Sequence, residues 1–216
     1  MGPIEFLIDF VLHVDKYIVL IIQTYGVWAY ALMFLVIFSE TGLVVAPFFP
    51  GDSMIFVAGA LANQGSLNLI GVFLLLSAAA IVGDTVNYSI GHFIGPRIFH
   101  EDSRFLRREY LDEAQGFFDR HGGTAIILAR FVPFVRTFVP FLAGIGSMSY
   151  RRFVLYNVVG GVGWVAIFIL GGYFFGGLKV VKQNMSLAII LIVVLSVVPT
   201  LWKMWGMKKE ITLSVK

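Results

Sequence analysis

The chain contains no cysteine, which excludes disulfides, thiolate-ligated metal and thiol catalysis and leaves the compartment open. Charge is scarce as well, with Asp, Glu, Lys and Arg making up 13% of residues, about half the share of a soluble domain. The four histidines, His13, His92, His100 and His121, have no zinc-ligand spacing, so neither a metal site nor a cofactor is expected. No P-loop lysine follows the glycine-rich patches, and no nucleophile elbow or PSGH-type phosphatase loop occurs, so the expectation is a protein that is not an enzyme. The start, MGPIEFLIDF, carries acids where a signal peptide needs basic residues and lacks a myristoylation pattern, so it is expected to stay in place unmodified.

What the chain does have is apolar bulk. Hydrophobic residues make up 58% of it and the mean hydropathy is +0.87, which indicates an integral membrane protein. Residues 17–38, 69–95, 152–177 and 185–205 are each long enough to cross a hydrocarbon core of about 30 Å as helix. They are too long and too uniformly apolar for outer-membrane barrel strands.

Two further apolar stretches are interrupted by prolines and carry charges. ETGLVVAPFFPGDSMIFVAGALA, residues 40–62, holds Glu40 and Asp52 beside Pro47, Pro50 and Gly51. ARFVPFVRTFVPFLAG, residues 129–144, holds Arg130 and Arg136 beside Pro133 and Pro140. A charge near mid-bilayer costs roughly 2.5–3.5 kcal/mol, and a proline inside a helix about 3 kcal/mol more. Irregular backbone at that depth is tolerated only where protein buries it or it lines a water-filled cavity. Each segment is therefore expected to be a re-entrant hairpin, spanning 40–62 and 122–148. In the second, Thr124 to Val132 would descend, Pro133 to Pro140 turn, and Phe141 to Met148 return.

The halves resemble each other. PFFPGDSMIFVAG from Pro47 matches PFVRTFVPFLAG from Pro133, and GDTVNYSIGHFIG from Gly83 matches GWVAIFILGGYFFG from Gly163. The latter pair closes on GxxxG at Gly91 to Gly95 and at Gly172 to Gly176, a spacing that lets helices pack closely in lipid. A single span between the hairpins makes them enter from opposite faces. The expected fold is all-α and polytopic, one membrane domain over 1–216, an inverted repeat of re-entrant hairpin plus transmembrane helix. Such an arrangement places a substrate site at the midplane.

Following the crossings, one face receives Lys16, Arg97, Arg104, Arg107, Arg108, Arg120, Arg151, Arg152 and the C-terminal lysines from Lys203 on; the other receives Lys179 and Lys182 alone. The positive-inside rule makes the first face cytoplasmic, with both termini inside. Residues 103–121 place Leu106, Tyr110, Leu111, Ala114, Phe117 and Phe118 on one stripe, an amphipathic helix at the cytoplasmic surface with Gly122 as its stop. A shorter interfacial helix is expected over 1–16. The interleaved acids of that linker argue against nucleic acid as a partner.

Arg130 and Arg136 are candidate phosphate receptors, because guanidinium stays charged and grips two oxygens in parallel. The plain alternative is a static pair with Glu40 and Asp52, which desolvation would make a poor source of stability. Glu40 and Asp52 could exchange protons, since burial favours the protonated carboxyl and a nearby arginine the ionised one. Asp84 shares a helix face with Asn87, Tyr88 and His92 and is either a second proton site or part of a hydrogen-bonded strut. Trp28, Trp164, Trp202 and Trp205 read as interface anchors or core.

The FPGD block around Asp52 and the RFVPFVR and TFVPFLAG run resemble the signatures of the DedA family, the bacterial branch of the group sharing the VTT or SNARE-associated domain. The similarity extends from FLIDFVLHVD to the last span, without visible departure from the motif. It implies a bacterial inner-membrane protein that translocates lipid: undecaprenyl phosphate recycling or phospholipid scrambling, with proton dependence. It also implies that Glu40, Asp52, Arg130 and Arg136 carry the function. The expected partners are therefore a lipid phosphate, the membrane and protons. The alternatives are a proton-coupled antiporter for small cations or drugs, an isoprenoid-phosphate phosphatase, and a helper of membrane-protein assembly.

Overall fold

The computed structural model describes residues 20, 24, 26–43, 51–98, 118, 122–146, 148–176 and 178. Among these the chain is helical and has no strand: α1 (Trp28–Gly42), α2 (Gly51–Asn63), α3 (Leu69–Ile98), α4 (Thr124–Ala129), α5 (Pro133–Ile145) and α6 (Tyr150–Phe175). The expected helices at 1–16 and 103–121 (Phe118 apart), the last span at 185–205, and Pro47 and Pro50 lie outside the described residues.

Local signals set the helix ends. Gly26 takes φ +53°, so the expected span over 17–38 is interrupted and α1 starts at Trp28. It runs on through Glu40 until Leu43 turns extended at φ −103°, ψ 116°. α2 ends in a left-handed Gly65 at φ +78°, where Gly65 N–H donates to Ala62 and Ser66 N–H to Leu61, a Schellman closure. Asn68 then caps α3, its Oδ1 accepting from Gly71 N–H at 2.7 Å. Gly122, the expected stop, has φ +61° and donates to the Phe118 carbonyl at 2.7 Å.

One expectation is corrected. Pro133 to Pro140 is helix, and the break falls at 130–132 instead. Pro133 occupies the first turn of α5, where its missing N–H removes no intrahelical bond. Pro140 lies inside the helix. It denies the Arg136 carbonyl its intrahelical donor, and the next carbonyl, Thr137 O, accepts from Asn87 Nδ2 at 2.7 Å.

α3 and α6 are the two described helices long and apolar enough to cross a membrane. They pack antiparallel: Asn157 reaches Ile81 and Thr85, and Phe153 stacks on Tyr88 at 4.4 Å between ring centroids. The short helices form half-length hairpins beside them. Tyr30 at the start of α1 accepts from Asn68 N–H at the start of α3, while Gly42 at the end of α1 meets Gly83 midway along α3. The chain then returns through α2 to the 64–68 link. The second half repeats this upside down: Gly123 packs on Tyr156 near the start of α6, Arg130 on Gly160 and Gly161 midway, and α5 returns to the 146–149 link.

Each half lends its returning arm to the other. α2 packs along α6 and α5 along α3, so the odd-numbered helices run one way as one bundle and the even-numbered ones run the other way as a second. Glycines make these contacts backbone to backbone. A Cβ on Gly172 would strike the Phe56 carbonyl, and one on Gly59 the Ile169 carbonyl; a Cβ on Gly91 would strike the Phe141 carbonyl, and one on Gly144 the Tyr88 carbonyl. These contacts fall at matching positions of FVAG and FLAG, and at Gly91 and Gly172 of the two GxxxG runs. They shift the other register by one residue, since Gly91 corresponds to Gly172 and not to Gly171, and a Cβ on Gly163 would meet nothing within 4 Å among the described residues.

The surface is inside-out relative to a soluble protein. Trp28, Ile70, Phe93, Leu128, Leu155 and Phe174 are exposed, while Glu40, Asp84, Asn87, Arg130, Arg136 and Asn157 are buried. An apolar exterior of this extent suits lipid and not water.

Candidate functional site

The buried charges gather where the half-length hairpins end, midway along α3 and α6. Glu40 sits in the last turn of α1, Asp52 in the first turn of α2, and Arg136 one turn into α5. The Arg136 guanidinium is forked: Nη2 donates to Glu40 Oε1, and Nη1 to Asp52 Oδ1 at 2.7 Å. Its carbon lies 5.2 Å from the centroid of the Trp164 ring, close enough for a cation–π contact. Trp164 Nε1 in turn donates to Asp52 Oδ1 at 3.0 Å. Glu40 has no solvent exposure at all, and the Arg136 side chain 7%.

Three of the four expected site residues thus meet directly. The fourth does not join them: Arg130, the residue after α4, pairs with Asp84 and also donates to Asn157 Oδ1. A single four-residue pocket is therefore corrected to two adjoining clusters, within Coulombic reach of one another. The reason is positional. Arg130 ends a helix of the even bundle and faces α3, where Asp84 lies at the midpoint, whereas Arg136 lies on α5 of the odd bundle and faces α2.

Asp84 was open between a proton site and a strut; the structure makes it the partner of Arg130. Its neighbours on that face are structural links. Asn87 Nδ2 donates to Thr41 O at 3.0 Å and to Thr137 O at 2.7 Å, and Tyr88 Oη donates to Met148 O at 2.5 Å. Asn157 and Trp164 escaped the sequence reading as site residues. Their signal was present, because Asn157 is a lone amide in an otherwise apolar span, and such a group in lipid needs a partner.

Two Arg–Asp bridges cross between the bundles in opposite senses. Arg136 of the odd bundle reaches Asp52 of the even one, and Arg130 of the even bundle reaches Asp84 of the odd one. The N-termini of α2 and α5 converge on the first bridge, and the partial positive charge of helix N-termini favours anions there. Yet the polar groups are unlike at matching positions: in the glycine register, Asp52 corresponds to Thr137 and Asp84 to Val165. No group of three or more potential metal ligands occurs among the described residues.

Comparison with known proteins places this arrangement. Residues 49–174 match the VTT domain, and the chain is 52% identical over 92% of each chain to Protein DedA of Escherichia coli (strain K12). The chain belongs to the DedA family. It is also 44% identical to an uncharacterized membrane protein of Mycobacterium tuberculosis (strain ATCC 25618 / H37Rv), over 77% of this chain and 74% of that one. Identity to the inner membrane protein YghB of Escherichia coli (strain K12) is 35%, over 82% of this chain and 78% of that one. No solved structure matches. For this DedA-family membrane protein, the VTT match spans α2 to α6 and includes Asp52, Asp84, Arg130 and Arg136, whereas Glu40 and α1 precede it.

Proposed function

We propose that this DedA-family protein is a lipid-phosphate translocase of the bacterial inner membrane, moving the head group of undecaprenyl phosphate or a related lipid phosphate across the bilayer. The inner-membrane location follows the name of the relative YghB. The observation that carries the reading is the forked guanidinium of Arg136, buried against the face of Trp164 and held by one carboxylate from each side of the first helix break. A phosphate presents the same paired oxygens and can take the place of a carboxylate without loss of bonds to the guanidinium. The converging helix N-termini add to the attraction, and the isoprenoid tail stays in lipid.

Movement would come from rocking the odd bundle against the even one. Glycine contacts hold each bundle rigid, so the interface that can give is the one spanned by Arg136–Asp52 and Arg130–Asp84. Breaking one bridge at a time would expose the head group to one side and then the other, with both hairpins re-entrant from opposite faces. A carboxylate displaced by phosphate sheds its charge most simply by taking a proton, which couples the cycle to protons.

The test is purified protein in vesicles containing undecaprenyl phosphate, reading how much head group becomes accessible from outside, with and without a pH gradient. Arg136→Gln should insert and fold yet move no lipid. A folded Arg136→Gln protein with normal lipid movement overturns the receptor role.

One observation favours a second reading, a proton-coupled antiporter for small cations. Among the described residues the carboxylates of Glu40 and Asp84, both buried, and of Asp52, partly buried, gather around two guanidiniums, an acid-rich site that suits a proton or cation. Under that reading Asp52→Asn is more damaging than Arg136→Lys, and lipid phosphate does not compete with the cation.

A further inference from the structure

We propose that Asn87 is the positioning residue of the Glu40–Arg136 pair, setting the separation of the two side chains by holding the backbone beside each. The inference rests on the functional reading above only in treating that pair as the site.

Asn87 is fully buried midway along α3. Its amide nitrogen donates to Thr41 O and to Thr137 O. Both neighbours are carbonyl oxygens, which can only accept, so the NH2 and not the oxygen must face them. The amide oxygen, also buried, has no hydrogen-bond partner among the described residues, so these two donated bonds alone orient the group.

The two acceptors are the residues that follow Glu40 and Arg136 in the chain. Each also lies at or next to a carbonyl that its own helix leaves without a donor. Thr41 is in the last turn of α1, whose final carbonyls have no intrahelical partner. Thr137 stands beside the carbonyl that Pro140 deprives of its N–H. A single nitrogen on the long, straight α3 thereby ties α1 and α5 together at the level of their ion pair, and joins all three helices of the odd bundle. Arg136 cannot move away from Glu40 by unwinding the α5 backbone while that tie holds; it can part from Asp52, which belongs to the other bundle. Among the described residues Asn87 makes no hydrogen bond to either side chain of the pair and acts through the main chain.

The experiment uses full-length protein with Trp28, Trp202 and Trp205 changed to Phe, so that Trp164, which lies under Arg136 and bonds Asp52, reports the position of the guanidinium by its emission. Asn87→Leu keeps the branched shape, with larger terminal groups, and removes both donors. Asn87→Ser, which can serve at most one carbonyl, is the milder variant should the Leu protein not fold. The expected result is a shifted Trp164 emission and a fall in undecaprenyl phosphate movement of about ten- to a hundred-fold for Leu, the penalty of misplacement by about 1 Å, with Ser between. Val72→Ala, a core change elsewhere on α3, should lower thermal stability yet leave Trp164 emission unchanged. Emission and lipid movement at the parent level in Asn87→Ser overturn the role. A shifted emission in the Asn87 variants of a parent protein that itself moves no lipid leaves the role standing and sinks the translocase reading instead.

Discussion

The close seating of α2 on α6 can be tested by one pair of substitutions in the same helix. In Gly172→Ala the new methyl would collide with the Phe56 carbonyl oxygen, with the carbonyl carbon at 2.7 Å and Phe56 Cα at 3.0 Å. These are backbone atoms of a helix and cannot rotate aside, so α2 must move. Gly163→Ala meets nothing within 4 Å. Both changes gain about 0.8–1.0 kcal/mol of helix propensity, which cancels when the variants are compared with each other. What remains is the overpacking term of about 1–3 kcal/mol. At about 2–4 °C per kcal/mol for a chain of this size, Gly172→Ala should melt about 2–12 °C below Gly163→Ala in detergent, followed by tryptophan fluorescence. Gly91→Ala should behave like Gly172→Ala, since the Phe141 carbonyl stands to Gly91 as that of Phe56 does to Gly172. Equal melting of Gly172→Ala and Gly163→Ala would refute the backbone contact and with it the exchange of arms between the halves.

Removing one partner of the second bridge, in Arg130→Met, should destabilise by about 3–5 kcal/mol, and Arg130→Met with Asp84→Leu should recover most of that; lipid movement in the recovered double variant would show the bridge to be a strut only. Trp164→Phe keeps the ring under Arg136 but loses a hydrogen bond to a carboxylate, an expected loss of about 1.5–3 kcal/mol, checked by thermal unfolding. Because the chain has no native cysteine, Ser66→Cys and Ser149→Cys can be labelled singly in cells. An impermeant maleimide should reach Ser66→Cys from outside and Ser149→Cys only after permeabilisation, and labelling of both from one side rules out the inverted arrangement.

Glu40, Asp52 and Arg136 were legible because a charge inside an apolar run needs a nearby opposite charge, and the run supplies none locally. The partner of Arg130 was not, since Asp84 lies 46 residues away and only the packing of α4 against α6 decides which acid it meets. Proline usually breaks helices, which is why the sequence suggests a turn at Pro133 to Pro140; one falls in a first turn, where it does no harm, and the other is carried inside α5, one carbonyl away from a bond donated by Asn87. Gly26 was hidden within an apolar stretch that has the length of a span. The glycine repeat was legible to within one residue, and the error arose from aligning Gly163, which packs on nothing, with Gly83, which packs on Thr41.

The likeness of the two halves in their glycines and their unlikeness in polar groups have a kinetic consequence. A carrier whose halves matched in every residue would rest equally in its two orientations, saturating at the same concentration from either side. Here Thr137 and Val165 take the positions that match Asp52 and Asp84 in the glycine register, so under the proposed translocase cycle the two orientations would differ in free energy. Such a bias could not drive net flux by itself, but it would fix which leaflet the empty carrier faces and make half-saturation differ between the two sides.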